Sequence, residues 1–141
     1  MPATVIVKRV SEQADLDIVF ALRREVFVVE QNCPPELEWE NEDVSIHFLA
    51  TVDAEPAGAC RWRKTDKGYK LERFAVLKKF RGFGVGQAMV QTVLDDLPAD
   101  ADYIYLHAQT PAVSLYKRFG FEAMGDEFEE AGIKHFKMVK G

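Results

Sequence analysis

Hydrophobic positions along the chain change period several times, and each change marks an element. Val5, Ile6, Val7 and Val10 predict a short first strand. Ser11 and the acids from Glu12 to Asp15 then open a helix that runs to about Phe27, with Leu16, Val19, Phe20, Arg23 and Phe27 on one stripe. Val28 to Val44, with Pro34-Pro35, Trp39 and a run of acids, reads as a long loop. Ile46, Phe48, Ala50 and Val52 alternate as a second strand; after a turn at Asp53 to Pro56, a third runs from Ala57 to Lys64. Thr65 to Gly68 turns the chain into a fourth strand, Tyr69 to Leu77, completing an antiparallel meander.

The period then becomes helical. Ala88, Met89, Val90, Val93, Leu94 and Leu97 form an apolar face that Pro98 closes. A fifth strand follows at Tyr103 to His107, a short helix at Pro111 to Phe119 ends at Gly120, and Phe121 to Glu130 with Ile133 to Val139 form a closing hairpin across Ala131-Gly132. The order β, α, β-β-β, α, β, α, β-β predicts an α+β fold: one mixed sheet with helices packed on its faces.

Between the fourth strand and its helix lie Gly82, Gly84 and Gly86, three glycines within five residues. They keep side chains away from the unpaired N–H groups of a helix N-terminus, an arrangement that attracts a phosphate or pyrophosphate. The dinucleotide fingerprint requires a glycine where Gln87 or Met89 stands, and a Walker loop requires Gly-Lys-Ser/Thr where Gly86-Gln87-Ala88 stands. Neither fits. The spacing that does occur is Arg-x-x-Gly-x-Gly, as Arg81, Gly84 and Gly86, after the basic pair Lys78-Lys79.

Composition narrows the class. At 141 residues the chain is long enough for one domain, expected to span 1–141. A net charge of -5 argues against broad nucleic-acid binding. The apolar runs are shorter than a membrane span, and Met1 to Val10 lacks a signal-peptide pattern, so a cytoplasmic protein with no membrane partner is expected. Cys33 and Cys60 show no metal spacing and are expected as free thiols, with no metal. From Glu25 through Cys60 there are nine acidic residues and no lysine or arginine, whereas Lys70, Arg73, Lys78, Lys79 and Arg81 crowd the glycine turn. One region suits a cation and the other a phosphate.

The Arg-x-x-Gly-x-Gly turn resembles the pyrophosphate-binding motif of the GNAT superfamily of N-acetyltransferases, and the element order is similar to theirs. Tyr116, Gly120 and Phe121 match the superfamily's Tyr-x-x-x-Gly-Phe pattern. Residues 22–31, His47, 106–109 and 125–135 look like the ElaA-type branch. The resemblance implies a mainly antiparallel sheet of about seven strands, with helices on both faces and a splay between the fourth and fifth. It also implies acetyl-coenzyme A as co-substrate, held by Arg81, Gly82, Phe83, Gly84, Val85, Gly86 and Gln87 at the pyrophosphate and by main-chain groups near Phe74, Ala75 and Val76. Gln109 stands seven residues before Tyr116, where many members carry a coenzyme A-binding asparagine.

The implied reaction sets its own chemical requirements. An amine attacks a thioester only as the free base, so a proton acceptor is needed, together with oxyanion stabilisation and protonation of the leaving thiolate. Tyr116 suits the last task, a phenol with a pKa of about 10 facing a thiol near about 8.5. Glu72 and His135 are the side-chain candidates for the base, with deprotonation through water as the alternative. Arg23, Phe27, His47 and His107 are candidates for the acceptor site, Arg23 either snorkelling or reaching into a pocket. The acidic loop Glu36 to Asp43 could favour a cationic amine. No cysteine sits at the motifs to carry a covalent acyl group, so direct transfer to a primary amine in a ternary complex is expected. A coenzyme A-binding module without transfer activity and a nucleotide-phosphate binder are the rival readings, and a homodimer is left open.

Overall fold

The computed structural model describes residues 4–31, 45–130 and 132–140. Cys33 and most of the expected acidic loop, including Glu36 to Asp43, lie outside the described residues. The strands are β1 (Val5–Val10), β2 (Ile46–Val52), β3 (Glu55–Lys64), β4 (Tyr69–Val76), β5 (Ile104–Gln109), β6 (Phe121–Glu130) and β7 (Ile133–Lys140). The helices are α1 (Gln13–Arg23), α2 (Val85–Asp96) and α3 (Val113–Lys117). One seven-stranded sheet runs in the order β1-β2-β3-β4-β5-β7-β6. Its neighbours are antiparallel apart from β4 and β5. No helix among the described residues is long and apolar enough to cross a membrane.

Strand alternation gives each sheet face its own helix. On one side Phe48, Ala50, Cys60, Leu71, Leu106 and Met138 pack with Val85, Met89, Val90 and Val93 of α2. On the other, Leu49, Ala59 and Ala75 pack with Val19 and Leu22 of α1 and with Val26 and Phe27 beyond it. Each of the Val, Leu, Phe and Met side chains among them contributes about 1.5–3 kcal/mol on full burial. At Gly58 of β3 a Cβ would lie 2.9 Å from the Ala75 carbonyl oxygen and 2.9 Å from Val85 Cγ1, so its absence lets the start of α2 approach the sheet.

The first helix differs from expectation at its end. Instead of becoming a loop at Val28, the chain continues from α1 as a wider π-helical segment, Arg24–Glu30. Val26 and Phe27 are buried as consecutive residues in this segment, four residues after the buried pair Leu22 and Arg23 that ends α1. Glu30 and Gln31 are thereby carried to the fork between β4 and β5.

That fork is the feature that positions the site. β4 and β5 pair only at Tyr69↔Ile104, Lys70↔Tyr105 and Leu71↔Leu106, then part. On its other edge β4 carries a bulge: Arg61 pairs with Glu72 and Ala59 with Ala75, leaving Arg73 and Phe74 together opposite Cys60. Arg73 takes φ 56°, the left-handed region, costly for a side chain of its size.

Candidate active site

A cavity of about 420 Å³ fills the fork. Phe74, Ala75, Val76, Arg81, Gly86, Gln109 and Tyr116 line it, as do Phe27, Glu72, His107 and His135. Gly82, Phe83, Gly84, Val85 and Gln87 are outside the wall, in the adjoining turn and first turn of α2. Arg23 and His47 are not in the wall either, so the structure does not bring them to the expected acceptor site. Arg23 is fully buried, its guanidinium 5.7 Å from the Phe20 ring, and His47 meets that ring edge-on at 5.8 Å. The reason is topological: β2, which carries His47, is separated from the fork by β3 and β4.

At the glycine turn, Gly82 and Gly84 have φ 95° and 79°, values that exclude most side chains, and Gly84 is the residue preceding α2. Arg81 extends from this turn. Its Nε donates to the Val76 carbonyl at 3.1 Å, and its two terminal nitrogens donate to the Glu30 carboxylate at 2.8 Å each. This bond, together with the charge of Arg81, holds the Glu30 carboxyl below its usual range. Next to it, the Gln31 and Gln109 amides exchange hydrogen bonds of 3.3 and 2.9 Å. Gln109 therefore faces a glutamine from the end of the π-helical segment.

Tyr116 is buried, its ring edge-on to Phe74 at 5.8 Å and to Phe121 at 6.2 Å. Burial pushes the phenol pKa up, so the hydroxyl is protonated at neutral pH. Beyond Leu71 the β5-facing backbone edge of β4 has no β5 register partner, which leaves the bulge at Arg73 and Phe74 open to the cavity.

The other end of the cavity is ionic. Glu72 accepts from Arg63 Nε at 2.7 Å and from Arg61 Nε at 3.2 Å, and lies 3.2 Å from Lys70 Nζ. Burial raises its pKa, but the Arg63 hydrogen bond and the charges of Arg61, Lys70 and Arg63 outweigh burial and hold it at about 2. A carboxylate so held accepts a proton poorly at neutral pH, which weighs against Glu72 as the expected base.

The two cavity-lining imidazoles differ. His135 Nδ1 lies 2.7 Å from the Ile133 carbonyl oxygen. A carbonyl only accepts, so Nδ1 carries a hydrogen, and in the neutral imidazole Nε2 is the nitrogen with the lone pair. His107 Nδ1 lies 3.0 Å from Glu130 Oε2, a bond that holds the Glu130 carboxyl below its usual range and gives His107 the same tautomer. Phe128 packs against both rings, edge-on to His107 at 5.1 Å and stacked on His135 at 5.9 Å. Among the described residues no acidic, histidine and cysteine cluster could hold a metal ion.

The sequence groups Lys70 and Arg73 with the basic residues of the glycine turn, whereas Lys70 lies at the ionic end of the cavity, 3.2 Å from Glu72; Glu130, Glu30 and Gln31 have no individual site role in the sequence reading. For Arg73 a signal existed: β4 is apolar at Tyr69, Leu71, Phe74 and Val76, and the three-residue step from Leu71 to Phe74 breaks strand alternation where the bulge occurs. Glu130, Glu30 and Gln31 enter the site through contacts with distant segments, at His107, Arg81 and Gln109.

Comparison with known proteins agrees with this geometry. The model of the acetyltransferase (GNAT) domain matches residues 8–141. The chain is 42% identical over 132 residues to an uncharacterized N-acetyltransferase, YjcF, of Bacillus subtilis, covering 91% of this chain and 94% of that one. It is 31% identical over 140 residues to the protein ElaA of Escherichia coli, covering 90% and 88%. The crystal structure of E. coli ElaA aligns with a TM-score of 0.83 at 27% identity over 99% of both chains. An acyl-CoA N-acyltransferase of Pseudomonas aeruginosa aligns equally well, with a TM-score of 0.83 at 27% identity over 99% of both chains.

Proposed function

The chain belongs to the GNAT acetyltransferase family, in its ElaA-like branch, and from that premise we propose that it transfers an acetyl group from acetyl-coenzyme A to a primary amine by direct attack in a ternary complex. The observation that carries this reading is the fork. It opens a strand edge between the glycine turn and Tyr116 on one side and two imidazoles on the other.

The residues present suit an acyl-coenzyme A. Phe27, Val76, Met89 and Leu115 give the cavity an apolar wall for the arm, and Arg81 and the Gly82 to Gly86 turn suit a pyrophosphate at the α2 N-terminus. When bound, that ligand supplies the activated thioester. Main-chain N–H groups near Phe74, Ala75 and Val76 are the donors available to a developing oxyanion, fixed before reaction. Tyr116 holds the proton that the departing sulfur requires. The amine's first proton goes to an imidazole at the ionic end, where His135 and His107 both keep a lone pair on Nε2.

Thermal unfolding with acetyl-coenzyme A, ATP and NAD in parallel tests the donor. At about 100 times its dissociation constant a ligand adds about 2.7 kcal/mol, enough to raise the midpoint by several degrees. A shift with acetyl-coenzyme A alone supports the reading, and an amine screen by thiol release then identifies acceptors. Equal shifts with ATP or NAD refute it.

A further inference from the structure

We infer that His107, oriented by Glu130, is the proton acceptor for the attacking amine. The assignment rests on the N-acyltransferase reading above and decides between its two imidazoles.

Position is the first argument. Leu71 and Leu106 are the last residues paired across the fork, so Glu72 and His107 are the first residues past it on either strand. The open bulge at Arg73 and Phe74 follows immediately. His107 therefore stands at the apex of the cavity, beside the strand edge that would receive the thioester. His135 is paired with Gln109, two residues farther along β5. Leu106 and Ala108 pack into the α2-side core, so His107 faces the opposite side of the sheet, where an acceptor can approach without crossing α2.

Orientation is the second. Both imidazoles hold hydrogen on Nδ1, but the partner of His135 is a neutral carbonyl and that of His107 is a carboxylate. An imidazolium formed by proton uptake is stabilised more by a carboxylate than by a carbonyl, as in triads where an acid holds the imidazole in one tautomer. The hydrogen bond from His107 is the leading influence on Glu130, ahead of the charges of Lys70 and His135. Glu72 of β4 is shared by Arg61, Arg63 and Lys70, Tyr105 is tilted against the His107 ring at 6.3 Å, Lys137 is the β7 register partner, and Phe128 packs against both imidazoles.

The proton balance closes. One N–H bond of the substrate ammonium breaks as His107 Nε2–H forms, and Glu130 offsets the new charge. The amine then forms the C–N bond while C–S breaks. Its second proton ends on the thiol through Tyr116, and His107 returns the first to solvent at the rim, where the Glu130 side chain is 41% exposed.

The test compares wild type with His107→Asn, His107→Ala, His135→Asn, Glu130→Gln and Glu130→Asp in full pH–rate profiles. Acetyl-coenzyme A thermal shifts run alongside. His107→Asn is expected to lower kcat by about 100-fold or more and to remove the acidic limb of the profile, while keeping the acetyl-coenzyme A shift. Added imidazole should restore part of the activity of His107→Ala. Glu130→Gln is expected to lower kcat about tenfold with KM for acetyl-coenzyme A unchanged, and Glu130→Asp to regain most of it. His135→Asn should keep the acidic limb. If His135→Asn loses the limb and His107→Asn keeps it, the assignment is overturned. Nitrogen-detected NMR of the imidazoles reads the pair without turnover: His107 hydrogen on Nδ1 in wild type and mixed tautomers in Glu130→Gln support it, and hydrogen on Nε2 in wild type overturns it. A wild type without an acetyl-coenzyme A shift would instead refute the N-acyltransferase reading, whatever the tautomer.

Discussion

Replacing Glu72 by Gln removes the one anion among Arg61, Arg63 and Lys70 while keeping the side chain's size. Its side chain is 4% exposed, so solvent screens the cluster little. A folded-state pKa of about 2 against the ordinary 4.5 corresponds to about 3 kcal/mol, at about 1.4 kcal/mol for each tenfold difference in proton affinity. The folded state binds the proton less tightly than the unfolded chain. The contribution is therefore complete above about pH 5 and disappears as pH falls toward about 2. Urea melts of wild type and Glu72→Gln at several pH values measure the difference directly. The expected gap is about 3 kcal/mol at pH 7, or about 10 °C in midpoint, shrinking to about 1 kcal/mol near pH 3. The three cations left without their carboxylate act in the same direction at neutral pH. A gap that is the same at both pH values, or absent at pH 7, refutes this account of the cluster. Glu30 and Glu130 titrate in both proteins and cancel in the comparison.

Further outcomes follow from other contacts. Tyr116→Phe keeps the ring packing, so the acetyl-coenzyme A thermal shift should survive while kcat falls about tenfold or more. Gly84→Ala meets no atom within 4 Å but places a Cβ at φ 79°, so denaturation should show a loss of about 1–2 kcal/mol from backbone strain alone. Glu30→Ala removes a pair whose side chains are 43% and 39% exposed and should change stability by less than about 1 kcal/mol, whereas Arg81→Ala should weaken acetyl-coenzyme A binding most at low salt. Cys60 is buried with its thiol pKa pushed up, so in a Cys33→Ser background no thiol should react with a thiol reagent until denaturant is added.

Local signals made most of the fold legible. Period-two runs located the strands, the glycines and Pro98 bounded α2, and Gly132 marked the turn of the last hairpin. The glycine turn and Tyr116 disclosed the family. What remained hidden depends on long-range geometry. A helical stripe puts Arg23 near a candidate pocket, but its burial against Phe20 keeps it out of the cavity wall, and only strand order shows that His47 is two strands away from the fork. Glu72 looks like a base until Arg61 and Arg63 arrive from the neighbouring strand. His107 looks like any strand histidine until the hairpin brings Glu130 to it. The charge of Glu72 and the tautomer of His107 are properties of pairings between segments, at Arg61 and Arg63 and at Glu130, and no short window of sequence contains both partners.

The short β4–β5 ladder also bears on the mechanics of the sheet. Three register pairs join a four-stranded half, β1 to β4, to a three-stranded half, β5, β7 and β6. Past them, two edges face each other like an interrupted seam, with main-chain groups of 72–76 on one side and 107–109 on the other. A slender ligand lying along that seam would serve as an eighth strand. It would complete a hydrogen-bonding surface that the polypeptide leaves unfinished, and so would couple the two halves. Binding and rigidity are then a single event, and slower amide exchange along both edges is how it would be seen.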